Sequence, residues 1–283
     1  MTKAADTSKL VRAALSEDVG PGDWTTLWTV PAHAHAEAVV IAKAAGVIAG
    51  MEAVYETVRQ VDPQVTVREW VGDGDAVEQG TRVLELHGAA RSLLAAERVA
   101  LNFLQRLSGI ATLTREHVNA VAGTGARILD TRKTTPGMRA LEKAAVVMGG
   151  GENHRFGLHD MILIKENHIA AAGGIRRALE AVEKSNDQNL PVEIEVRDLE
   201  ELEDVLLYRV DRILLDNFSV GDLRTGVERV RASDGARPAT EASGGITLRT
   251  IRGVAETGVD YISVGALTHS APALDLSLLL ELR

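Results

Sequence analysis

Cysteine is absent from this sequence, which removes disulfides, thiolate nucleophiles, cysteine-type zinc sites and iron–sulfur clusters. Any metal must therefore be held by oxygen or imidazole. No stretch reaches the ~18 uninterrupted apolar residues of a membrane-crossing helix, and the opening MTKAADTSKLVRAALSEDVG lacks the apolar run of a secretion signal. The expectation is a cytoplasmic protein without membrane attachment. A basic excess is missing too: 31 Lys and Arg against 40 Asp and Glu leave a formal charge of −9. That is the wrong sign for general attraction to nucleic acid, which requires cations that displace phosphate counterions.

What remains is ordinary globular material, 45% hydrophobic and 25% charged over 283 residues, enough for one large domain or two ordinary ones. An anionic ligand would need a local basic cluster, and one exists. Between Arg127 and Arg177 lie Arg132, Lys133, Arg139, Lys143, Arg155 and Lys165, with His154, His159 and His168 among them.

The amino-terminal part, Ala36 to His87, favours strands interrupted by a helix over Met51–Val61, with Gly-Asp and Gln-Gly turn signals between apolar runs. GDGDAVEQGTRVLEL is similar to the hairpins of lipoyl and biotin carriers, but no lysine stands at a hairpin tip, so it reads as scaffold. Ser92 to about Ala122 reads as a long helix, with Leu93, Ala96, Ala100, Phe103, Leu107 and Ile110 at helical spacing and Gly109 as a point of bending or division. Arg98, Asn102 and Gln105 share a separate polar face.

After Gly125 the rhythm changes to short apolar runs followed by helical segments: ARILD (126–130), MILIK (161–165), VEIEV (192–196), RILLD (212–216), PATEAS (238–243) and YISVG (261–265). Strands alternating with helices imply right-handed βαβ units and a parallel sheet. The fold class is α/β: an open α/β barrel of about six or seven parallel strands, with a smaller amino-terminal α/β sandwich. The expected division is 1–112 for the sandwich and linking helix and 113–283 for the barrel, with roughly the last 14 residues available to fold back on the first domain.

Barrel sites lie at the carboxyl ends of strands. Those ends are Asp130-Thr131-Arg132-Lys133, Lys165-Glu166-Asn167-His168, Glu195, Asp216-Asn217, Ser243-Gly244-Gly245 and Gly265-Ala266. The glycine-bearing ends suit a phosphate, because backbone N–H groups come close there and Ser243 adds a hydroxyl. Glu195 and Asp216 suit ribose hydroxyls or Mg²⁺. Arg132, Lys133, His154, Arg155 and Lys165 supply charge for carboxylates or a diphosphate. Neither a Ser-His-Asp arrangement nor a dinucleotide or P-loop spacing is present; GGGENHRFG reads as a loop presenting His154 and Arg155.

ALNFLQRLSGIAT, ILDTRKTTPGMRALEKAAVVMGGGENHRFGLHDMILIKENHI, VEIEV, ILLDNF, EASGGI and GVDYISVGALTHSAPALDLSL together resemble the quinolinate phosphoribosyltransferase family, and the resemblance runs from LSEDVGPGDWTT to the last helix. It implies a pentosyltransferase acting on quinolinate and phosphoribosyl pyrophosphate with Mg²⁺. The products would be nicotinate mononucleotide, pyrophosphate and CO₂, a step of NAD biosynthesis. It further implies that Arg132, Lys133, His154, Arg155 and Lys165 grip the quinolinate carboxylates and the diphosphate. Glu195 and Asp216 would hold ribose hydroxyls and metal, while Ser243, Gly244, Gly245, Gly265 and Ala266 cradle the 5′-phosphate. Thr131 belongs to the binding set, His269 resembles a position near the phosphate end, and Arg98 resembles a residue entering the neighbouring subunit's site. The assembly implied is a homodimer with shared sites, or a higher oligomer built from it. Lys133, Lys165, Glu195 and Asp216 are the catalytic candidates, acting by positioning and fixed charge rather than as an assignable general base. Three rivals stand beside this reading: a nicotinate phosphoribosyltransferase, a Schiff-base aldolase using Lys165, and a non-catalytic nucleotide- or metal-binding relative.

Overall fold

The computed structural model describes residues 3–233 and 237–283. Its strands are β1 (His35–Ala42), β2 (Gly46–Val47), β3 (Thr66–Glu69), β4 (Ala76–Val77), β5 (Arg82–Ala89), β6 (Arg127–Leu129), β7 (Ile162–Ile164), β8 (Val192–Val196), β9 (Arg212–Asp216), β10 (Ala239–Ser243), β11 (Tyr261–Ser263) and β12 (Leu276–Leu282). The described residues form two compact units. One comprises the chain up to Arg115 with Thr134–Gly150 and Leu267–Arg283; the other comprises Glu116–Lys133 and Gly151–Ala266.

The first unit is built on an antiparallel sheet ordered β12-β1-β5-β3. Strand β1 alternates strictly, burying Ala36, Ala38, Val40 and Ala42, as a strand with one apolar face must. These meet Leu84 and Leu86 of β5, Met51, Val54 and Val58 of the helix Met51–Val61, and Leu93, Leu101 and Leu104 of the long helix in one core. The carboxy-terminal strand closes an edge, running antiparallel from Ala36↔Leu282 to Ala42↔Leu276. The segment read as scaffold caps that first helix: Asp73 Oδ1 accepts the N–H groups of Gly50 and Met51 at 2.8 and 3.1 Å.

The long helix, Ala90–Ala120, is continuous; Gly109 does not divide it. A Cβ on Gly109 would lie 1.9 Å from the carbonyl oxygen of Pro272, so glycine is required there by close backbone approach, a constraint invisible to local sequence. The polar face is also not uniform. Arg98 and Asn102 are exposed, but Gln105 donates to the Leu276 carbonyl at 2.7 Å and fastens the last strand.

The second unit is a six-stranded, wholly parallel sheet in the order β6-β11-β10-β9-β8-β7. Chain order is preserved around the sheet except for a break between β6 and β7, which is the topology of an open barrel. Each expected strand is present, trimmed by at most two residues at an end. Helices Glu166–Ala172, Ile175–Ser185, Leu199–Leu206, Val220–Ala232 and Ile251–Ala255 supply crossovers that parallel pairing requires. At the free edge of β6, Leu129 bridges Glu152 in parallel. Among the described residues no helix is long and apolar enough to cross a membrane.

The Gly109 contact yields a stability prediction with opposing terms. Ala would improve helix propensity by about 1 kcal/mol, but the steric conflict is with backbone and cannot be relieved by a rotamer change, costing about 1–3 kcal/mol or more. Gly109→Ala should therefore lower Tm in thermal melts; an unchanged or raised Tm would show that Pro272 yields freely.

Candidate active site

Parallel strands end on one side of the sheet, and the chemistry-bearing residues of the second unit collect there. Asp216 closes β9 and Ser243 closes β10, directly paired in register. Glu195, on β8, lies beside Leu214, and its Oε2 is 3.5 Å from Nζ of Lys165, the residue that follows β7. The Lys165 N–H donates to Nδ1 of His168 at 3.0 Å, fixing the backbone where helix Glu166–Ala172 begins. Beyond Ser243 the chain turns through Gly244 and Gly245 at φ +98° and +58°. Among the described residues, no atom beyond its own chain neighbours lies within 4 Å of the place a Cβ would take on Gly245, so an anion can approach its backbone directly. Gly265 follows β11, and Ala266 opens the short helix Ala266–His269.

The glycine-rich loop is a strap along the open edge of β6. Glu152 N–H donates to the Ile128 carbonyl at 2.8 Å, and Asp130 N–H to the Glu152 carbonyl at 3.2 Å. Fully buried Asp130 then accepts the His154 N–H through Oδ1 at 2.9 Å. Arg155, next in the chain, is half-buried and donates to the Met161 carbonyl at 3.1 Å. Burial, followed by the like charge of Arg132, pulls its guanidinium below the usual arginine range, against the opposing pull of Glu193 and Asp160. Arg132 and Lys133 are exposed. Thr131 shapes their turn, its Oγ1 accepting the Lys133 N–H at 3.0 Å.

His154 is not presented at the mouth with these cations. Its ring is buried, with Nε2 3.0 Å from Glu193 Oε2 and 3.6 Å from Glu241 Oε1. Glu193 and Glu241 are fully buried, and Arg212 meets Glu241 at 2.7 Å. Tyr261 packs against the guanidinium groups of both Arg127 and Arg212, each 4.2 Å from its ring centre. The three ligand-type atoms of His154, Glu193 and Glu241 are close enough to share an ion. Nδ1 accepts the Arg155 N–H at 2.7 Å, so the neutral ring turns a protonated Nε2 toward the carboxylates. Among the described residues both Glu193 carboxylate oxygens and Glu241 Oε1 are nonetheless buried without a hydrogen-bond partner. Desolvation pushes Glu193 up to about 6, and desolvation with the neighbouring Glu193 charge pushes Glu241 up to about 7 despite Arg212.

The strand-end reading passes over Glu193 and Glu241 because they sit one inward step before the strand ends. The available signal is a carboxylate in the middle of an apolar strand, at the same period-two phase as a strand-end residue. Asp130 and Asn217 stand among the strand ends but carry no assigned role in the sequence analysis. Thr131, Arg132, Lys133, His154, Arg155, Lys165, Glu195, Asp216, Ser243, Gly244, Gly245, Gly265 and Ala266 all belong to the second unit. Arg98 and His269 belong to the first: Arg98 is exposed, 3.8 Å from Glu97, and His269 Nδ1 lies 2.6 Å from Ser270 Oγ.

Comparison with known proteins covers nearly the whole chain. Residues 23–108 match the family model described as quinolinate phosphoribosyl transferase, N-terminal domain, and residues 110–279 that of the C-terminal domain. A chloroplastic carboxylating nicotinate-nucleotide pyrophosphorylase from Oryza sativa subsp. japonica is 45% identical over 292 residues, covering 98% of this chain and 78% of the relative. A probable carboxylating nicotinate-nucleotide pyrophosphorylase from Synechocystis is 42% identical, covering 93% and 89%. The solved nicotinate-nucleotide pyrophosphorylase from Francisella tularensis superposes with a TM-score of 0.94 at 40% identity, covering 99% of this chain and 98% of that one.

The buried carboxylates make stability depend on pH with a definite sign. Glu241 rises from 4.5 unfolded to about 7 folded, so between those values the native state binds more protons than the unfolded one. Stability is then greatest at the acid end and declines as pH climbs toward 7, by about 1–3 kcal/mol. Glu241→Gln, which stays neutral, should flatten this decline. Melting curves from pH 5 to 7.5 read the effect, and parallel profiles for the two proteins would mean that Glu241 is ionised throughout.

Proposed function

The chain belongs to the quinolinate phosphoribosyl transferase family, and from that membership we propose that it transfers the phosphoribosyl group of phosphoribosyl pyrophosphate to quinolinate with decarboxylation, a step of NAD biosynthesis. The observation that carries the reading is the gathering at the carboxyl ends of the parallel strands of Lys165, 3.5 Å from Glu195, exposed Arg132 and Lys133 after β6 and the open Gly244–Gly245 turn after β10. Cations and an uncovered backbone turn on one side of a sheet suit a polyanionic ligand. Quinolinate brings two carboxylates and the co-substrate a diphosphate and a 5′-phosphate.

The reaction asks mainly for fixed charge. The pyridine nitrogen uses its lone pair to form a bond to the anomeric carbon while the bond to the diphosphate oxygen breaks, and the diphosphate leaves with that electron pair. Positive charge builds on the ribose and then resides on the pyridinium ring. Arg132, Lys133, Arg155 and Lys165 orient the carboxylates and the departing diphosphate, and the glycine turn at Gly244–Gly245 receives the 5′-phosphate. Cleavage of the bond to the carboxylate beside the ring nitrogen releases CO₂ and leaves an electron pair that the cationic ring stabilises until a proton is taken up. Glu195 and Asp216 offer hard oxygen donors suited to ribose hydroxyls and to Mg²⁺, an ion that keeps part of its water and neutralises charge on phosphate oxygens. We place the enzyme in the cytoplasm as a homodimer with Arg98 acting in the partner's site.

The aldolase alternative fits the lysine poorly. Lys165 is half exposed with a carboxylate at 3.5 Å, the opposite of the desolvated, cation-flanked setting that makes an amine nucleophilic. Nicotinate as sole acceptor leaves the second carboxylate's charge partners idle.

Two measurements test this reading. Wild-type protein given quinolinate, phosphoribosyl pyrophosphate and Mg²⁺ should release CO₂, and Arg155→Ala and Lys165→Ala should each lose ~30-fold or more in kcat/KM, the equivalent of about 2 kcal/mol. Near-normal turnover in both variants would defeat the site assignment. For the shared site, Arg98→Ala and Lys165→Ala proteins should each be nearly inactive alone. Random exchange makes about half of the dimers mixed, each with one intact site of two, so roughly a quarter of wild-type activity should return. Verified mixed dimers that stay inactive would rule out action in trans.

A further inference from the structure

Asn217, directly after β9, has φ +57°, a left-handed conformation that non-glycine residues seldom adopt and that concentrates at functional sites. Three contacts hold it. Its N–H donates to the Ser243 carbonyl at 2.9 Å, continuing the β9–β10 ladder one step past the Ser243↔Asp216 pair. Its Nδ2 donates to Asp216 Oδ2 at 2.6 Å. The flipped amide would set oxygen against carboxylate oxygen at that distance, so the orientation is fixed by electrostatics. Its carboxamide also occupies the space beside Gly244: a Cβ on Gly244 would lie 2.1 Å from Asn217 Oδ1 and 2.5 Å from its Cγ.

The geometry points to Asn217 as a positioning residue for the phosphoribosyl half of the site. It engages one oxygen of Asp216, leaving Oδ1 as the oxygen that meets a ribose hydroxyl or a metal-bound water. It also braces the Gly244–Gly245 turn in the conformation that receives the 5′-phosphate. Gly244 and Asn217 thus form a matched pair, in which the glycine is needed because the amide fills the place of its side chain. A residue used only to turn the chain would be better served by glycine, which meets φ +57° without strain; the carboxamide is retained for what it touches. This inference rests on the proposed reaction and deepens it by naming which substrate the residue serves.

Asn217→Gly separates the roles, because it keeps the backbone conformation and removes the amide. Its Tm should stay within ~3 °C of wild type. The KM for phosphoribosyl pyrophosphate should rise about tenfold or more, with the KM for quinolinate changing less than about threefold, and the affinity for ribose 5-phosphate, titrated without any second substrate, should fall about tenfold. Asn217→Asp, which keeps the shape but sets a carboxylate against Asp216, should show the same selective defect. Equal changes in both KM values, or none, would overturn the assignment, as would unchanged ribose 5-phosphate affinity. If wild-type protein binds ribose 5-phosphate but releases no CO₂, the proposed reaction fails while the titration still decides the role of Asn217.

Discussion

Parallel pairing of six short strands is the constraint from which the site follows. A parallel ladder with crossover helices brings every strand's carboxyl end to one side, and the pleat sends alternate side chains inward. On β8 the same phase that buries Glu193 directs Glu195 toward the mouth, and on β10 it relates Glu241 to Ser243. The floor of the site and its working surface are thus successive layers of one periodic arrangement. A one-residue slip in β8 would exchange these carboxylates with Ile194 and Val196 and dismantle both layers.

Electrostatics divides those layers. Glu193 and Glu241 lie out of solvent, where desolvation disfavours their ionised forms and Arg212 acts on both while Arg155 and Lys165 act on Glu193, whereas Lys165, half exposed, meets Glu195 at 3.5 Å. Burying a carboxylate costs several kcal/mol unless charge and hydrogen bonding compensate. The compensation here comes from the Arg212 guanidinium, 2.7 Å from Glu241, and from the raised proton affinity of the two carboxylates. His154 accepts the Arg155 N–H through Nδ1, with Nε2 3.0 Å from Glu193 Oε2, so the loop from which Arg155 projects turns inward over this floor.

The architecture was largely legible in the sequence, and physical periodicity explains why. All six parallel strands stood out as short apolar runs with polar ends, and the helix Met51–Val61 stood out as an interruption of the strand pattern. Charges at strand ends could be selected because fold class alone predicts where such ends converge. Gly109 was only partly legible: it does not divide the helix, and the close approach of the Pro272 carbonyl, which requires glycine there, is remote in sequence. The inward turn of His154 was illegible for a similar reason, since GGGENHRFG carries no periodicity from which to assign a facing direction. Gln105 shares its helical face with Arg98 and Asn102, and the residue that removes it from solvent, Leu276, lies far along the chain.

These failures have one form. Local sequence reports what a residue prefers, whereas close approaches and buried charges report what is across from it. The glycine turn after β10 illustrates the difference within a few ångströms. Gly245 can be read locally, because its positive φ and open surroundings are what a backbone anion site requires. Gly244 cannot, because the space its side chain would need belongs to Asn217, on another strand. Substituting either partner changes the environment of the other, so their effects should not be additive. The sequence therefore identifies the surface offered to a phosphate more readily than the paired constraint that holds it in shape.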